Sequence, residues 1–107
     1  LPGYVEQAAA IKAKGVDTIA CLSVNDAFVM AAWAEDQNVG DAILMLADGN
    51  SEFTASADLG LDGSAFGLGY RSQRYSMIVV DGFVKHINIE EPGQFQKSSA
   101  EALLEQL

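Results

Sequence analysis

The chain has 107 residues, enough for one domain with a modest core. Its 50% hydrophobic content argues for a packed globule and against disorder, and no apolar run approaches the ~20 residues needed to cross a bilayer. Acidic residues number 15 against 6 basic ones, a formal charge of −9, which opposes phosphate backbones and argues against nucleic acid as a partner.

Residues 1–14 read as a helix. Pro2 fits the first turn, and Tyr4, Ala8 and Ile11 share a face. Lys12 and Lys14 suit the last turn, and Gly15 can take the left-handed position after it. Residues 16–24 (VDTIACLSV) form an apolar run without helical period. They predict a central parallel strand covered on both faces. Asn25 or Asp26 then caps a helix reaching to about Asn38, with Val29, Ala32 and Trp33 inward and Gly40 as terminator.

Residues 42–46 (AILML) predict a second buried strand. Asp48-Gly49-Asn50 is a turn, and a short helix follows over 51–57 with Phe53 and Ala57 on one face. Residues 59–69 carry four glycines and no period, which predicts a long loop. Residues 74–89 read as a β-hairpin turning on Asp81-Gly82, because both residues tolerate the positive φ of a type I′ turn. Both faces of its first strand are largely apolar, which predicts a place inside a covered sheet. Residues 90–97 are a polar connection through Pro92-Gly93. The run Ser98-Ser99-Ala100-Glu101 is a capping box opening a last helix, with Leu103, Leu104 and Leu107 inward.

This order predicts an α/β fold: a thioredoxin-like sheet with a parallel half and an antiparallel hairpin, helices on both faces. A flavodoxin-like sheet is the alternative, but it has no natural place for the Asp81-Gly82 hairpin. Neither an internal repeat nor a low-complexity segment is present, so residues 1–107 are read as a single domain. No stretch has the basic start, apolar middle and small-residue cleavage site of a signal peptide, and a cytoplasmic location is expected.

The candidates for chemistry are few. Cys21 is the one cysteine, so it has no internal disulfide partner. It lies mid-strand with no cation near it in sequence, and is read as an inert packed thiol. One cysteine and one histidine, His86, are a poor basis for a metal site. No nucleophile elbow accompanies His86, which is read as a surface or sheet-edge residue. The glycines of 63–69 leave a helix and enter a strand, the reverse of a dinucleotide loop, and are read as serving turns or close approach. Arg74 heads the hairpin. The residues leave two roles open for it: a salt-bridged strand starter, shared with Arg71, or an anion-binding group.

Several blocks are similar to the type-5 (type II, atypical) peroxiredoxins. They are Leu1-Pro2-Gly3-Tyr4, residues 16–29 (VDTIACLSVNDAFV), Trp33, Leu46-Ala47-Asp48-Gly49 and Arg74-Tyr75-Ser76-Met77. The likeness spans the chain in order. It implies a thioredoxin fold and a peroxidase that reduces hydrogen peroxide and alkyl hydroperoxides with a cysteine thiolate. The resulting sulfenic acid is then restored by a thiol reductant, glutathione with glutaredoxin or a thioredoxin. It implies no cofactor, neither metal nor haem, and a homodimer; no membrane partner is expected. The resemblance matches Arg74 to the catalytic arginine beside the reactive thiolate, and matches Arg71 to nothing of that kind. It also implies that the peroxidatic cysteine lies in a segment ahead of Leu1, that the domain is N-terminally incomplete, and that these residues alone lack the nucleophile. The other reading is a non-catalytic thioredoxin-like interaction module.

Overall fold

The computed structural model describes all of Leu1–Leu107. The first helix, α1, covers Pro2–Ala13, with proline in its first turn and Lys12 in its last. Gly15 follows at φ 99°, as expected. Ala8 and Ile11 are buried on its inner face.

The apolar run after it is a strand over only four of its residues, β1 at Ala20–Ser23. Its one partner is the parallel strand β2 (Leu44–Ala47), with Cys21 opposite Met45. The two-sided cover expected for both strands is absent. Ala20 is exposed and the rest of β1 half-buried, while Leu44 and Leu46 of β2 are exposed. Strand geometry stops where the partner stops, since an extended segment without a ladder is not held as a strand.

Helix α2 (Ala27–Asp36) joins the two. Asp26 caps it, accepting from the Val29 N–H at 2.8 Å. Its buried face is Met30, with Trp33 and Ala34 half-buried, whereas Val29 and Ala32 point outward. The stripe is thus rotated from the one read in the sequence, because this alanine-rich helix is apolar nearly all round. The helix ends at Asn38 (φ 53°), not Gly40, and the Val39 N–H reaches back to the Ala34 carbonyl at 3.0 Å. Asparagine is among the few residues that tolerate this left-handed position.

Helix α3 (Glu52–Ser56) is anchored by Asp48. Its carboxylate accepts from the Phe53 and Thr54 N–H groups at 3.2 and 2.9 Å and from the Thr54 hydroxyl at 2.6 Å. Thr54, not Phe53, is the buried residue. The glycine-rich stretch is more ordered than a loop. Strands β3 (Gly60–Asp62) and β4 (Tyr70–Ser72) pair antiparallel around a 3-10 turn at Ser64–Phe66. A Cβ at Gly60 would fall 1.7 Å from the Tyr70 hydroxyl, so this glycine serves close approach.

Strands β5 (Tyr75–Val80) and β6 (Phe83–Ile89) form the hairpin, turning on Asp81 (φ 51°) and Gly82 (φ 82°). Ile78 pairs with His86 and Val79 with Val84, so Lys85 is the extra residue of a β-bulge. The hairpin is covered near Ser76, which is buried; its tip, with Val79, Val80 and Phe83, is exposed. The last helix, α4 (Ala100–Gln106), is capped by Ser99, one residue later than the capping box predicts; its hydroxyl accepts from the Ala102 N–H at 3.1 Å.

The main core joins α1, α4 and the ends of β1 and β2 through Ala8, Ile11, Ile19, Val39, Ile43, Ala100 and Leu103. Cys21, Met45 and Ile78 pack against it half-buried. The expected parallel half and antiparallel hairpin are both present, as separate two-stranded ribbons.

Candidate active site

Three segments converge near Arg74. It immediately precedes β5, whose first residue, Tyr75, lies near Cys21 and Asp48. Burial pushes the Tyr75 hydroxyl pKa up, and the charges of those two groups add to the shift. Arg74 also lies near the amino end of α1. Its charge reaches both Leu1 and the Tyr4 phenol. The Tyr4 phenol is raised by burial, with Arg74 opposing that shift. Tyr4 donates to the Ser98 carbonyl at 2.7 Å, tying α1 to the entrance of α4.

The two arginines are used differently. Arg71 donates through Nε to the Leu68 carbonyl at 2.7 Å and through Nη1 to Val24 O at 3.4 Å and Asn25 Oδ1 at 3.2 Å. It fastens β4 to the β1–α2 junction, and its donors face its own protein. Arg74 is exposed, and its guanidinium makes no hydrogen bond within the chain. Its close partner is the Phe95 ring, with the guanidinium carbon 4.1 Å from the centroid. Beside it is a cleft of about 190 Å³ lined by Ser72, Gln73, Arg74, Glu90, Glu91 and Gly93 among others.

The segment that brings Phe95 there reads in the sequence only as a polar connection. It begins opposite Arg74, where the Glu90 N–H donates to the Arg74 carbonyl at 2.9 Å. The Glu90 side chain is buried. Its carboxylate accepts from the N–H groups of Gln96 (2.5 Å), Lys97 (3.0 Å) and Ser98 (3.0 Å) and from the Ser98 hydroxyl (2.8 Å). Burial alone would raise its pKa, but these four donors outweigh burial and hold it at about 2. The sequence signal for this strap is slight: one aromatic, Phe95, among polar neighbours.

Cys21 is half-buried in β1, and burial pushes its thiol up, the direction opposite to activation. His86 is half-buried in β6 opposite Ile78, apart from Arg74 by more than half the hairpin. The structure therefore gathers Arg74, Tyr4, Tyr75 and Cys21 into one region and leaves His86 outside it. No helix is long and apolar enough to cross a membrane.

The redoxin family model matches residues 1–104. The chain is 49% identical over 109 residues to "Peroxiredoxin-2E, chloroplastic" of Arabidopsis thaliana, a match covering all of this chain and 47% of that protein. It is 54% identical to the structure of reduced Prx3 in complex with hydrogen peroxide from Vibrio vulnificus, at a TM-score of 0.94 over 99% of this chain and 68% of that one. The Plasmodium falciparum antioxidant protein (1-Cys peroxiredoxin) aligns at a TM-score of 0.90 and 28% identity, over 99% of this chain and 66% of that one. The chain belongs to the redoxin family and has its thioredoxin-like fold. Within that family it groups with the peroxiredoxins, as the sequence blocks around Leu1, Cys21 and Arg74 led one to expect. It spans about half the length of the Arabidopsis relative and of "Peroxiredoxin-2E-2, chloroplastic" of Oryza sativa subsp. japonica.

Proposed function

We propose that this chain is the arginine-bearing part of a thiol-dependent peroxidase. A cysteine joined ahead of Leu1 supplies the nucleophile, and Arg74 is the catalytic cation beside it. The observation that carries this reading is the state of Arg74. Its guanidinium is exposed, free of internal hydrogen bonds, and close to the amino end of α1. A residue preceding α1 would emerge near that charge. There a thiolate gains from the helix amino end and from the guanidinium, both of which favour the charged form. The thiolate attacks one peroxide oxygen. A sulfur–oxygen bond forms, the oxygen–oxygen bond breaks, and hydroxide or alkoxide leaves. Arg74 donates to the oxygen on which charge grows.

The sulfenic acid is returned to thiol by an external thiol reductant, glutathione with glutaredoxin or a thioredoxin. Cys21 is poorly placed to resolve it, being half-buried with a raised pKa. The proposal includes hydrogen peroxide and alkyl hydroperoxides as substrates and a homodimer. Support comes from the peroxiredoxin relatives and from the exposed apolar residues Phe28, Phe66 and Leu68, which a second copy would cover.

Stopped-flow oxidation of the protein carrying its preceding segment tests the reading. Arg74→Gln is expected to slow peroxide reduction about a hundredfold, as loss of one preorganised donor does elsewhere. Arg74→Lys should rescue only part, since lysine keeps the charge without the planar fork. An Arg74→Gln rate equal to the parent rate would remove Arg74 from the reaction.

A further inference from the structure

We propose that Phe95 is a positioning residue for Arg74. The inference rests on the reading of Arg74 as the catalytic cation, and it assigns a reason for the folded strap between β6 and α4.

The strap is pinned at both ends. At one end the Glu90 N–H continues the hairpin ladder onto the Arg74 carbonyl. At the other, the Glu90 carboxylate gathers three consecutive backbone N–H groups, from Gln96 to Ser98. Between them Gly93 turns the chain at φ 78°, and the Gln94 N–H closes onto the Glu91 carbonyl at 2.9 Å. A buried carboxylate is thus used to draw residues 96–98 back towards the strand that begins beside Arg74. Phe95, next to this anchor, is left with its ring over the guanidinium at 4.1 Å.

The ring is not there to fill a core. Phe95 is 57% exposed and takes no part in the hydrophobic cluster. What the contact does is confine one long, otherwise untethered side chain. A ring face attracts a guanidinium without occupying its N–H donors. An aspartate in the same place would hold the arginine more firmly but would take its donors and neutralise its charge. An aromatic platform leaves both for a thiolate and a peroxide. Arg71 shows the contrast: it is fixed by hydrogen bonds, and its donors are thereby used.

The test uses the protein with its preceding segment, hydrogen peroxide as substrate, and thermal midpoints as the folding control. Phe95→Leu keeps apolar bulk and removes the ring face. It is expected to slow oxidation about threefold, the size of an exposed cation–π contact, at an unchanged midpoint. Phe95→Trp keeps the ring face and should restore the parent rate. In an Arg74→Gln background, Phe95→Leu should cost nothing further. The Arg74 side-chain proton resonances should shift on Phe95→Leu as the ring current is lost. Parent rates in Phe95→Leu alongside a slowed Arg74→Gln would overturn the role of Phe95 alone. Equal losses in the leucine and tryptophan variants, or losses that multiply with Arg74→Gln, would do the same. A normal rate in Arg74→Gln would instead overturn the proposed function itself.

Discussion

Arg71 and Arg74 are three residues apart, yet their settings differ in kind. Arg71 closes the β4 end of one ribbon onto Val24 and Asn25. Arg71→Gln is therefore expected to lower stability by about 1 kcal/mol while leaving peroxide oxidation near the parent rate. Chemical denaturation paired with stopped flow measures both. Cys21 carries the reverse expectation to a catalytic thiol. In the protein with its preceding segment, Cys21→Ser should keep turnover and lose about 1 kcal/mol, since a hydroxyl replaces a half-buried thiol. Loss of turnover in a folded variant would make Cys21 the nucleophile. The placement of Cys21 in a strand was legible in the sequence because it lies in an apolar run without helical period. The two arginines were not separable from sequence physics alone. Their difference lies in partners distant in the chain, Val24 and Asn25 for one and Phe95 for the other.

At the scale of elements, the legible parts were those with local chemistry. Gly15 ending α1, Asp26 capping α2 and Asp81-Gly82 turning the hairpin each act through their own backbone. The missed parts depend on distant partners. The length of β1 is set by β2, the inner face of α2 by what lies beneath Met30, and the 90–98 strap by a carboxylate inside it. That strap gives a pH prediction. Glu90 is held at about 2 in the folded protein, against 4.5 for a free glutamate. A depressed folded pKa means its contribution is full above about 4.5 and lost as pH falls towards 2. Asp48 is lowered too, chiefly by the Thr54 hydroxyl, and acts in the same direction. Acid titration should therefore show a fall in stability between about pH 4.5 and 2 that is smaller in Glu90→Gln. An equal fall in that variant would assign the acid sensitivity to other groups. Ser99→Ala should cost about 1 kcal/mol through the α4 cap, where Ser98→Ala acts through Glu90 instead.

Over the whole molecule, only 15 of 107 residues are buried, and the sheet is divided into three ribbons. Two-stranded ribbons are marginal by themselves. The chain by itself is accordingly expected to lack a cooperative thermal transition, and a sharp one in calorimetry would contradict that. The proposed homodimer should sediment as a dimer at micromolar concentration. A charge introduced at an exposed apolar site, Phe66→Glu, should shift it to monomer. The fold class was readable because the order of helices and strands was right except for the β3–β4 ribbon, which the glycines disguise as a loop. The separation into ribbons was not, since periodicity reports which residues are apolar and not whether a partner strand exists.

Each strand pairs along one side only, and this has a consequence for backbone amides. Along a strand, successive N–H groups point to opposite edges, so one in two faces the partner and the next faces outward. Hydrogen–deuterium exchange of this chain should then show slow and fast amides alternating through β5, from Tyr75 to Val80, interrupted at the Ile78/Val79 bulge. The free edges can accept further strands, from the proposed preceding segment or from a second copy. Wherever one of them docks, the fast set should become slow, and a strand whose amides stop alternating is one that has gained a neighbour.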